Sequence, residues 1–171
     1  RRGYAVVEFD RTEVAPDEPK NVDRRAGLFP LYPDYDFRTI AAWGWAYGPI
    51  IDVLDRLGLV DLQKIIVTGH SRGGQAAMAA AIIDERIALA APSTGGPFSL
   101  GSTRQRDPAG YRGTSDYPAF FLKNNPHWYH PRYFEFAGQQ SRQPWDTSTL
   151  VALVAPRPLL NVNSVADGIN N

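Results

Sequence analysis

Cysteine is absent from all 171 residues, which removes disulfide bridges, thiolate-held zinc and a thiol nucleophile from consideration. The compartment is left open by that absence. Net charge is lacking as well: 18 Lys and Arg balance 18 Asp and Glu, so no overall field draws the chain to nucleic acid or to an anionic membrane. No apolar run approaches the roughly 20 residues that a bilayer crossing requires. Neither an internal repeat nor a low-complexity tract is present. No signal peptide is visible, and the chain opens on Arg1-Arg2 without Met, so its natural start is expected upstream. What the sequence has in quantity is aromatic and proline: 4 Trp, 8 Tyr, 8 Phe and 14 Pro. That composition fits aromatic-lined, proline-shaped loops, as in many carbohydrate-active enzymes. The length allows one modest domain with a proper core.

The stretch Ile65-Ile66-Val67-Thr68-Gly69-His70-Ser71-Arg72-Gly73-Gly74 carries the most information. A short β-type run feeds Gly-x-Ser-x-Gly, and an Ala-rich run from Gln75 to Ile83 follows at once. A nucleophile elbow needs this context of strand, strained turn and helix. Ser71 is expected at its tip, with Gly69 and Gly73 leaving room for the fold of the backbone. Free N–H groups at the start of the helix then face the reacting centre and stabilise negative charge. The alternative is an ordinary Gly/Ser turn.

Around this motif the pattern predicts a buried strand at Gly3–Phe9 and then a long polar segment to Phe37, of a size that is usually functional or partly disordered. A helix is predicted from Thr39, as N-cap, to Leu57, stopped by Gly58 and kinked or divided by Pro49. Strands follow at Lys64–Thr68 and Ile87–Ala91, the latter ended by Pro92. A Gly/Ser-rich loop runs to Arg112, and short helices are expected between Tyr117 and Gln140. Asp146 should cap a helix over Thr147–Val154, before a last strand at Leu159–Asn163. Strand–helix alternation implies a mostly parallel sheet with flanking helices, an α/β-hydrolase architecture. Such sheets normally carry more strands, with the elbow further along. Residues 1–171 therefore read as the central part of a domain, its first strands and a C-terminal strand-His unit lying elsewhere or on a complementary chain.

A nucleophilic serine needs a base, and the base an orienting acid. Asp167 stands just past the last strand, where this fold supplies its acid in the order Ser, acid, His; the competing reading is a turn-forming Asp-Gly. His70 lies inside the elbow and reads as a wall of the pocket. His127 and His130 precede Asp167 and flank Trp128-Tyr129, so the base is expected after Asn171. Arg72 can place its guanidinium over the oxyanion, or it can be a surface-paired residue at a helix start. Trp128 and Tyr129 offer a platform for a sugar or aryl ring, or serve as packing aromatics.

Taken together, Gly-His-Ser-Arg-x-Gly, Asp84-Glu85-Arg86, the Gly95-Gly96 loop leading to Arg104, Trp128-Tyr129, Pro144-x-Asp146 and Leu153-Val154-Ala155-Pro156-Arg157-Pro158 resemble the glucuronoyl esterases and their bacterial relatives. These are α/β-hydrolases that cleave the ester between glucuronoxylan glucuronate and lignin alcohols. The resemblance implies Ser71 as nucleophile, Arg72 as oxyanion arginine, and Trp128 as a sugar contact, with Arg104, His70 and Gln75 also on the substrate side. This chain departs from the family in three places. Thr94 stands near the usual catalytic Glu, Gln75 replaces a lysine that helps hold glucuronate, and Asp146-Thr147-Ser148 replaces an Asp-x-His. The implied protein is a serine esterase for a small-molecule or polysaccharide ester, secreted or periplasmic, with no metal or organic cofactor. Its rivals are an acetyl, aryl or polyester esterase of the same fold and a non-catalytic carbohydrate-binding relative.

Overall fold

The computed structural model describes residues 3–93 and 117–161. In chain order the helices are α1 (Arg11–Val14), α2 (Thr39–Trp45) and α3 (Tyr47–Leu57), then strand β1 (Ile66–His70), α4 (Arg72–Ile83) and β2 (Leu89–Ser93). After these come α5 (Tyr117–Asn124), α6 (Pro131–Phe134) and α7 (Thr147–Ala152). β1 and β2 pair in parallel from Ile66 opposite Leu89 to His70 opposite Ser93. On the far side of β2, a parallel bridge joins Ala90 to Leu159, so the expected last strand takes its place at least there.

Pro92 does not end β2 as the sequence predicted; it lies within it, opposite Gly69. Ala90 turns its N–H to Pro158 and its C=O to Leu160, on the Leu159 side. Pro92, two residues on, faces the same way, so its missing donor costs β1 nothing. The expected strand Gly3–Phe9 is a clear correction. It has no ladder partner among the described residues, and Tyr4 and Val6 are 78% and 80% exposed. Alternation of side chains marks a segment fit to pair, but only a neighbouring edge makes it a strand.

The helix expected from Thr39 to Leu57 is divided at Ala46. Pro49 is the third residue of α3, where an N–H would have no intrahelical acceptor, so the chain tolerates it there. Gly58 closes α3 at φ 62°. Thr39 is not the N-cap of α2 but its first residue, and it is buried; Arg38 precedes it without a side-chain cap. The α2 amides are satisfied from a distance instead: Thr39 N–H donates to the His127 carbonyl and Ile40 N–H to that of Trp128. Asp146 caps α7 as expected, in a reciprocal box with Thr149.

Helix α4 lies between two apolar clusters. On one side Ala76 and Ala79 meet Trp43, Phe121 and Trp128. On the other, Ala77, Met78, Ala80 and Ala81 pack with Val67, Ile51, Ile87 and Val154. Small residues let α2 approach closely: a Cβ on Gly44 would lie 2.8 Å from the Ala79 Cβ and 2.9 Å from the Ala80 nitrogen. Arg157, from the Ala-Pro-Arg segment, closes the far end of α4 by donating to the carbonyls of Ala81, Asp84 and Ile87. Carbonyls in the last turn of a helix lack intrahelical partners, and a cation is favourable at that end of the dipole.

Candidate active site

β1 delivers the chain to Ser71, which has φ 53° and ψ −124° and caps α4. A non-glycine residue rarely holds such a positive φ, and strain of this kind persists only where its surroundings enforce it. Here the enforcement is visible. Ser71 N–H donates to the Ser93 carbonyl across the sheet at 2.8 Å, and Ser71 C=O accepts from Gln75 N–H at 3.1 Å. Gly69 makes the sharp return possible, because a Cβ there would sit 2.4 Å from the Gly73 oxygen. Gly73 is freer than the sequence pattern suggests, since a Cβ at that position would meet no atom within 4 Å. Ser71 and Arg72 are both exposed.

Arg72, the first residue of α4, reaches back to Asp17, with Nη1 2.5 Å from Oδ2. Its guanidinium carbon also lies 5.3 Å from the centre of the Trp128 ring. Asp17 is the hub of this cluster. Its Oδ1 accepts from Trp128 Nε1 at 2.8 Å and from His127 Nε2 at 3.1 Å, while Arg11 stands 3.8 Å from Oδ2. Burial alone would raise the Asp17 pKa, but the donors on Trp128, Arg72 and His127 outweigh it and hold the carboxyl below its ordinary value. The His127 pKa is lowered too, but by the opposite balance: burial outweighs its bond to Asp17 and favours the neutral ring. With Nε2–H donating to Asp17, its Nδ1 has no partner among the described residues.

The sequence does not single out Asp17. The long segment before Phe37 has the size of a functional one, yet it holds several aspartates. Only the fold brings this one to Arg72, 55 positions away, and to His127, 110 positions away. Trp128 is 5% exposed and Gln75 also 5%, with Gln75 Oε1 accepting from Tyr129 Oη. Both side chains are buried, Trp128 beneath the Arg72 guanidinium and Gln75 against Tyr129.

None of the three histidines is bonded to Ser71. His70 Nδ1 lies 3.3 Å from Ser93 Oγ, His127 is on Asp17, and His130 Nε2 is 2.8 Å from Asp36. His130 also caps α6 through Nδ1. Asp167, Arg104 and Thr94 lie outside the described residues. No cluster of three or more metal-ligating side chains occurs among the described residues. An apolar cavity of about 250 Å³, lined by Tyr32, Tyr35, Phe37, Trp45 and Ile83 among others, opens at the opposite end of α4 from Ser71.

A parallel sheet whose strand turns through a strained, exposed serine into a buried helix defines an α/β-hydrolase-type protein. The profile of the fungal glucuronyl esterase family matches residues 1–171, and the chain belongs to that family. Among curated relatives, the 4-O-methyl-glucuronoyl methylesterase of Hypocrea jecorina is 27% identical over 168 residues, covering 96% of this chain and 36% of the relative. The 4-O-methyl-glucuronoyl methylesterase 1 of Wolfiporia cocos is 32% identical over 165 residues, covering 93% and 40%. Among solved structures, a glucuronoyl esterase from Caldicellulosiruptor kristjansonii superposes with a TM-score of 0.75 at 29% identity, covering 95% of this chain and 45% of that one. The chain thus spans less than half the length of these relatives.

Proposed function

We propose that this chain carries the nucleophile of a serine esterase that cleaves a carbohydrate-linked ester, a glucuronate ester in the first instance. The observation that carries the reading is Ser71 at φ 53° between β1 and α4, exposed and followed directly by Arg72. The names of the curated relatives point to the 4-O-methyl-glucuronoyl group as the acyl part.

In this mechanism Ser71 Oγ attacks the ester carbonyl as a histidine takes its proton. That histidine comes from outside residues 1–171, since all three within them are engaged elsewhere. Asp167 orients it and stabilises the imidazolium. Negative charge on the carbonyl oxygen is met by the Arg72 N–H and by the Arg72 guanidinium. The tetrahedral adduct collapses, the C–O bond to the alcohol breaks, and the histidine returns the proton to the leaving oxygen. Water, deprotonated by the same histidine, then releases the acid and frees Ser71. A polymeric substrate cannot cross a membrane, so an enzyme acting on one works outside the cytoplasm, secreted or periplasmic.

Gln75 favours a second reading, an esterase of looser acyl specificity. It is neutral and committed to Tyr129, so it offers no cation to a uronate. The test is hydrolysis of the methyl ester of 4-O-methyl-glucuronate and of p-nitrophenyl acetate by the full-length protein. Turnover of both should be abolished by Ser71→Ala and cut about 10⁴-fold by Asp167→Asn. A Ser71→Ala protein with undiminished turnover would end the proposal, and a preference for the acetate would support the second reading.

A further inference from the structure

An arginine beside a nucleophile is useful only if it is aimed. The Arg72 side chain is 45% exposed, and a free arginine loses about 2 kcal/mol of rotamer entropy when it is held in one geometry. Nothing in α4 supplies that hold. Asp17 does, and Asp17 is itself fixed: two donors on adjacent residues, Trp128 Nε1 and His127 Nε2, occupy Oδ1 and set the plane of the carboxylate. Oδ2 is thereby presented to Arg72, whose guanidinium rests over the same Trp128. Only 10% of the Asp17 side chain is exposed, so water competes little for these bonds. Arg72 has further N–H donors, and its open surface leaves them available to a ligand.

We propose that Asp17 is a positioning residue for the esterase reaction, holding the Arg72 guanidinium in the orientation from which it meets the oxyanion. The inference rests on Arg72 acting as the oxyanion arginine. It adds the carboxylate that aims that residue and the two side chains, Trp128 and His127, that fix the carboxylate. The arrangement parallels the acid of a catalytic triad, which never touches substrate and acts by orienting the group that does. A merely structural Asp17 would tie the Asp10–Phe37 segment to the body of the protein and act on Arg72 no more than on anything else.

A double-mutant cycle on the full-length enzyme separates these roles. Asp17→Asn keeps an acceptor for Trp128 and His127 but removes the charge that aligns Arg72. It should lower kcat about 10- to 100-fold, with KM little changed, as expected for loss of a charge-assisted bond. Arg72→Ala should lower kcat about 10²- to 10³-fold. Placed in the Arg72→Ala background, Asp17→Asn should lower kcat by no more than about twofold, because there is no longer a guanidinium to aim. Equal losses in both backgrounds, or an unaffected kcat in Asp17→Asn alone, overturn the positioning role while leaving the oxyanion role of Arg72 standing. An unchanged kcat in Arg72→Ala instead overturns that oxyanion role, and the positioning role with it. If Asp17→Asn does not fold, Asp17→Glu reads the same cycle, since it keeps the charge and moves it by one methylene.

Discussion

At the scale of single residues, the two glycines that bracket Ser71 do different work. Gly69 is required by contact, because a Cβ there would run into the Gly73 backbone. Gly73 meets no such obstacle and lies in the first turn of a helix, where a methyl group is tolerated. Gly69→Ala is therefore expected to cost about 1–3 kcal/mol by urea denaturation, in the range of overpacking. Gly73→Ala should be neutral, or stabilising by up to about 1 kcal/mol. The pentapeptide pattern was legible in the sequence, but this asymmetry was not, since it depends on which backbone passes over which. Asp17 and His127 give a second expectation, in two pH windows. His127 has a folded pKa below its ordinary 6.5, so the unfolded chain binds the extra proton and stability falls as pH drops through 6.5. Asp17 has a folded pKa below 3.8, so its contribution is intact above that value and is lost as pH falls from 3.8 through the folded pKa. Denaturation curves across pH should show His127→Gln flattening the upper window and Asp17→Asn the lower one.

At the scale of elements, α4 is held at both ends by groups from elsewhere in the chain. Its start is fixed by Ser71 pairing with Ser93, its end by Arg157. Arg157→Ala would leave three carbonyls without their charged donor and is expected to cost about 1.5–3 kcal/mol, read as a lowered urea midpoint. Arg157→Lys should recover only part of this, because one ammonium cannot span all three carbonyls. Helices were the more legible elements. The apolar spacing of Thr39–Leu57, the Gly58 stop and the Asp146 cap are local signals, and each stands where the sequence put it. The division expected at Pro49 is there as well, but the break falls at Ala46, because Pro49 sits in the first turn of α3, where its missing N–H costs no intrahelical bond. Strands were less legible for the opposite reason. Gly3–Phe9 alternates as well as any, yet pairing is a property of two segments and is written in neither alone.

At the scale of the whole molecule, the sheet has one flank, at β1, that is unpaired among the described residues, and apolar side chains stand open beside it and beyond. Ile66 is 52% exposed, Val6 80% and Tyr4 78%. Open edges and exposed apolar surface are sites of association. Residues 1–171 prepared alone are expected to bind a hydrophobic dye and to self-associate, whereas the full-length protein should do neither. A monomeric, dye-silent fragment would show that this flank needs no cover. The α/β-hydrolase class was legible from the alternation of strand and helix around the elbow. Of the cluster around Arg72, the sequence named Ser71, Arg72 and Trp128 through the elbow and the family resemblance, while Asp17, which no local pattern marks, joins them through folding alone.

Because the Ser71 amide is bonded to Ser93, it is committed to the sheet and has no hydrogen to lend to chemistry. The amide of position 72, first in α4, has no intrahelical acceptor. Donation from the main chain at this turn thus belongs to the position rather than to the arginine in it, and every residue except proline inherits it. In the proposed reaction the guanidinium is therefore an increment on donation that the backbone at position 72 supplies whatever side chain stands there.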